Sequence, residues 1–220
     1  ININPTQDEG ISNKTIVKNG ADDLLRADLD PVDWLIIAWS NNYMFPPLCW
    51  LVSKKIIDRV GLWDEKLKQN QDGEYFARVL LYSKKVIFCK DAKVYYRTGI
   101  ESSISSGRQK KHFISRLTSY RSYVTHLLQV EDTARTRYAC ACNFRRLSFD
   151  VYPTHPDLFI QCESEIKKLG VDISIVPKSG RIFNLLTFFF GWKVSIRLKS
   201  FLYYLGYENY LIRKRSNKSD

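Results

Sequence analysis

No apolar run in the 220 residues reaches the roughly 18 that a bilayer-crossing helix needs. No signal-peptide pattern opens the sequence, and with Ile1 where a methionine would start translation the expectation is an excised piece of a longer chain. Cysteine is present only as five scattered residues, Cys49, Cys89, Cys140, Cys142 and Cys162, an odd set without a C-x-x-C pair. That excludes a disulfide-stapled module and predicts reduced thiols in a cytoplasmic setting. The three histidines, His112, His126 and His155, lack ligand spacing to Cys140-Ala141-Cys142, which reads as buried packing and not as a metal or redox pair. Internal repeats and low-complexity tracts are also missing.

What remains is a globular composition, 45% hydrophobic, 14% aromatic and 26% charged, enough for one generous domain. The formal net charge is +11, and it is unevenly spread. Residues 1–33 carry seven acids and three bases, net −4, whereas residues 181–220 carry eight bases and two acids, net +6. Such a balance suits nucleic acid, an anionic membrane or phosphorylated small molecules. Nucleic acid is set aside, because the aromatics follow buried periodicities and no nucleic-acid motif occurs.

Along the chain, 1–20 is polar apart from the strand-like "KTIVK", and 21–42 reads as two short helices broken at Pro31. "LCWLV" (48–52) predicts a strand feeding a helix over 53–61 that Gly61 stops. A helix is expected from Asp72 to Ser83, with Tyr75, Phe76, Val79 and Leu80 as its buried stripe. "KVIFC" and "AKVYYRTG" (92–99) read as two strands; 109–130, 132–149 and 155–169 carry helical periodicity.

Asp72, ahead of a helical run, is first an N-cap candidate. A carboxylate at an element's end, facing a cleft, can also accept a proton from a substrate hydroxyl. Glu74 and Arg78 stand at i and i+4, the spacing of a helix ion pair.

The order of these segments is similar to the C-terminal half of the catalytic domain of family 2 inverting glycosyltransferases. Pro46-Pro47 leads to an apolar run, a helix ends in "VGLWDE" (60–65) resembling the family's "iGgFDE", and Gln71-Asp72 resembles its "ED" pair. Arg78 follows six residues on, then a "vyYR...SiS"-like segment over 94–105. The likeness covers roughly residues 35–105.

The resemblance implies that Asp72 is the catalytic base, with Trp50, Gln71, Arg78 and Arg97 as substrate-binding positions. It implies a nucleotide-sugar donor and a glycan or lipid-linked acceptor, as in bacterial cell-envelope polysaccharide synthesis. For a complete enzyme it also implies Mg²⁺ or Mn²⁺ on an Asp-x-Asp motif. Gln71 departs from the family's first acid. Asp28-Leu29-Asp30 has the letters of the metal motif but not the preceding apolar strand, so the chain is expected to lack that motif and to need an upstream donor-binding half.

The expected fold class is therefore α/β, a partial GT-A sheet with an α-helical C-terminal region: 1–108 as the acceptor-side half, 109–180 helical, 181–220 a basic amphipathic tail. The tail reads either as an element lying on the inner membrane face or as a helix packed on the domain. A non-catalytic membrane-associating or binding domain is the alternative function.

Overall fold

The first long helix starts where its proline permits. In the computed structural model, which describes residues 22–92, 107–177 and 179–204, α1 spans Pro31–Asn41 with the proline in its opening turn, where its missing N–H breaks no helical hydrogen bond. Asp30 caps it, Oδ1 accepting the Val32 N–H at 2.8 Å. A 3-10 turn at Asp22–Leu25 precedes it, so the expected break at Pro31 is present. α2 (Lys54–Val60) ends on Gly61 at φ 81°, and α3 is Gln71–Leu81. α4 (Lys110–Val130), α5 (Ala134–Val151) and α6 (Pro156–Leu169) fall on the three helical stretches expected. α7 (Arg181–Tyr204) closes the described chain.

The α/β expectation is overturned. Among the described residues there is no sheet; the one β pairing is an antiparallel bridge between Leu29 and Val86, with N···O distances of 3.0 and 2.9 Å. "LCWLV" forms a 3-10 turn at Pro47–Cys49 and then runs extended without a partner strand, leaving Leu51 99% exposed. In "KVIFC" only Val86 pairs. Strand preference expresses itself only where a neighbouring strand supplies hydrogen bonds and a packing face. "KTIVK" and all of "AKVYYRTG" but Ala92 lie outside the described residues.

The core is built around α5, which packs against α1, α4 and α6. Its run Ala139, Cys140, Ala141, Cys142 is fully buried, and these small side chains let neighbouring helices approach from several sides. Phe144, Leu147 and Val151 continue the same packing. Arg146 of α5 donates to the carbonyls of Trp39 and Ser40 at the C-terminal end of α1. One hydrophobic cluster joins Trp34, Leu35, Trp39, Ala77 and Leu80 to residues of α4, α5 and α6, so the segments on either side of residue 108 share a core.

The expected burial of Cys140 and Cys142 is present; Cys49 and Cys162 are buried as well, and Cys89 is exposed. Burial pushes the Cys140 and Cys162 thiols up to about 12, far from the thiolate form that reacts or binds metal. No helix among the described residues is long and apolar enough to cross a membrane.

Candidate functional site

The start of α3 is held by α4, which supplies three hydroxyls at four-residue spacing. Ser115 Oγ accepts the N–H groups of Lys68 and Gln69 at 2.9 and 3.0 Å and donates to the Gln69 carbonyl at 2.7 Å. One turn on, Ser119 Oγ accepts from Asn70 Nδ2 at 2.6 Å, and a further turn on Tyr123 Oη accepts from the same amide at 2.8 Å. Burial holds the Tyr123 phenol well above its ordinary range, so the ring keeps its proton. Asn70, at φ 62° and ψ 25°, is the N-cap residue of α3. Left-handed backbone is a conformation that asparagine tolerates.

Asp72 is therefore not the cap but the second residue of the helix. Its Oδ1 accepts the Gly73 N–H at 2.8 Å, and among the described residues it forms no ion pair. Gly73 sits where α3 meets α4. A Cβ there would lie 2.3 Å from Tyr123 Oη and 2.5 Å from Asn70 Oδ1. Tyr123 cannot swing aside, being buried and stacked on Trp39 with ring centroids 4.3 Å apart. Gly73→Ala is expected to destabilise the fold by about 1–3 kcal/mol of overpacking, offset by up to about 1 kcal/mol of helix propensity. Urea unfolding measures the net; a stabilised variant would mean that Tyr123 has room to move.

Asp72 lines an open cleft walled by aromatic rings, among them Trp34, Trp39, Tyr43, Phe45, Trp50, Phe76 and Tyr120. Trp50 stacks on Phe76 at 5.4 Å and meets Trp34 edge-on at 5.0 Å. Trp50 Nε1 is buried and meets no acceptor among the described residues, an omission that native interiors rarely tolerate. Flat apolar walls beside one carboxylate suit a polyhydroxylated ring, which offers C–H faces to aromatics and hydroxyls to polar groups.

The sequence-predicted positions separate. Asp72 and Trp50 meet in the cleft. Gln71, the first residue of α3, does not line it. Arg78 is turned inward: its guanidinium bonds Glu74 at 2.8 and 2.9 Å and the carbonyls of Val60 and Leu62 at 2.6 and 3.0 Å. The helix ion pair is thus present, and it also ties the end of α2 to α3. Arg97 lies outside the described residues. Asn70, Ser115, Ser119 and Tyr123, which place Asp72, were not singled out from the sequence, although Ser-x-x-x-Ser-x-x-x-Tyr over 115–123 marks one face of a helix.

Asp28 and Asp30 do not fit a divalent cation. Asp28 accepts the Phe88 N–H at 2.9 Å and pairs with Lys85 at 3.1 Å, which together hold its carboxyl below the usual range. Asp30 is engaged as the cap of α1. Both carboxylates have local structural partners in place of a shared ion.

No protein-family model, no curated protein and no solved structure matches this chain.

Proposed function

We propose that the chain is the acceptor-side part of an inverting sugar transferase of the family 2 kind, with Asp72 as its general base. The observation that carries this reading is that Asp72 lines one cleft together with an aromatic wall that includes Trp34, Trp50 and Phe76. An acceptor sugar stacks on Trp50 and its neighbours and turns one hydroxyl to Asp72. The carboxylate takes the hydroxyl proton as that oxygen attacks the anomeric carbon of a nucleotide-activated sugar. The bond to the diphosphate breaks on the opposite face, carrying away its electron pair, and the configuration inverts. Asp28 and Asp30, engaged with Phe88, Lys85 and Val32, are not assigned to the leaving group.

One observation favours a second reading, a glycan-binding domain without turnover. Gln71 stands where the family's first acid would be, and the Asp28–Asp30 pair is engaged elsewhere. Both readings require that the cleft bind sugar. Titrating methyl glycosides and short oligosaccharides against tryptophan fluorescence, alongside a nucleotide-release assay over a panel of sugar nucleotides in a protein that includes the donor-binding half, separates them. Binding with nucleotide release supports transfer, binding alone supports the second reading, and absence of both rejects the cleft.

Trp50→Phe sharpens the test. It replaces the indole by a smaller ring and reduces the face on which a sugar can stack. Glycoside affinity should fall about 3- to 10-fold, and unchanged affinity would remove Trp50 from the sugar site. Stability should fall by about 1–2 kcal/mol, because the contacts of Trp50 with Phe76 and Trp34 are thinned.

A further inference from the structure

α7 carries an apolar face that nothing in the described structure covers. Gly191, at φ 77° and ψ 159°, breaks it into arms over 181–190 and 192–204, a backbone geometry suited to glycine alone. In the second arm Trp192, Ser195, Ile196 and Lys199 recur at helical spacing on the inner face. Trp192 packs edge-on against Phe149 and Tyr152 at 4.9 and 5.4 Å, and Ser195 is buried. The outer face holds Val194, Leu198, Phe201 and Leu202, all exposed. In the first arm Ile182, Leu185 and Phe188–Phe190 are exposed, Phe188 to 82%.

Cations edge this face. Lys193 lies over the Phe159 ring at 5.2 Å and Arg197 over the Tyr152 ring at 5.5 Å, at the boundary between the outward apolar residues and the helical body. Beyond α7 the sequence adds Arg213, Lys214, Arg215 and Lys218, bringing residues 181–220 to net +6. An apolar face rimmed by positive charge complements an anionic lipid surface. It is not built to cross one, because α7 is not apolar enough.

We propose that α7 lies in the interface of an anionic bilayer, with Phe188–Phe190 at the acyl boundary and the basic residues among the headgroups. The helical body then rides on the membrane through Trp192. α7 alone carries this docking, and sugar binding at Asp72 neither requires it nor is required by it.

Flotation of the full chain with phosphatidylglycerol-rich vesicles, and with phosphatidylcholine vesicles alone, tests the docking. Binding should occur with the anionic vesicles and weaken as salt screens the headgroup charge. A Phe188→Asp/Phe189→Asp variant should lose about tenfold or more in partitioning, since apolar burial supplies much of interfacial affinity. Its circular dichroism and glycoside binding should stay unchanged. Failure of the wild type to float with anionic vesicles overturns the proposal. So does equal flotation of the variant, or a salt-insensitive dimer of the wild type that the variant dissolves, which would assign the face to a second copy of the chain.

Discussion

Arg78→Met is expected to cost about 3–5 kcal/mol of stability, read as a lowered urea midpoint with an unchanged slope. The reason lies in what stays behind. Glu74 and Arg78 have side chains only 8% and 13% exposed, and their ion pair closes at 2.8 Å. Ser122 donates a further hydrogen bond to the Glu74 carboxylate at 2.9 Å. Methionine fills much of the volume but leaves a buried carboxylate without its cation and the carbonyls of Val60 and Leu62 without their donor. A Glu74→Gln/Arg78→Met double variant removes the stranded charge and should recover part of the loss. If the double variant is no more stable than the single one, the orphaned carbonyls dominate. A near-neutral single variant would show that water reaches Glu74.

In a protein that includes the donor-binding half, Asp72→Asn should lower sugar transfer by about 10²-fold or more while leaving glycoside affinity near that of the wild type. Asparagine keeps the shape of the side chain and an Oδ1 that can accept the Gly73 N–H. It cannot take up a hydroxyl proton. The split between turnover and affinity is therefore the signature of a base, because a purely structural residue would shift stability or binding with turnover. Wild-type turnover retained in the variant would remove Asp72 from the chemistry and leave the cleft as a binding surface only.

The two substitutions lie six residues apart on the same helix and act for different reasons. Arg78 faces inward, where α2 and α3 join, and Asp72 faces the aromatic cleft. The sequence spacing of Glu74 and Arg78 was sufficient to predict their pairing, since side chains at i and i+4 share a helix face. It did not reveal their burial or the carbonyls of Val60 and Leu62 that Arg78 serves. For Asp72 the local pattern pointed one residue pair too far. Asn70 is the cap, because the hydroxyls of Ser119 and Tyr123 hold its amide and fix the chain entering α3.

The sequence by itself determined the helices. Pro31, Gly61 and Pro156 mark boundaries through backbone restrictions that act within one or two residues, and the periodicity of 109–130, 132–149 and 155–169 needs only the hydrogen bonds of each segment itself. It also marked Cys140 and Cys142 as packing residues, and both are buried. Tertiary structure alone decided the rest. "LCWLV" and "KVIFC" have strand-forming residues, yet a strand requires a partner brought from elsewhere, and Leu29 meets only Val86. The cleft likewise gathers Trp34, Trp50, Asp72 and Tyr123 from separate segments. No local pattern encodes such a meeting, because it depends on how α1, α3 and α4 pack, and that follows from the shared core formed with α5.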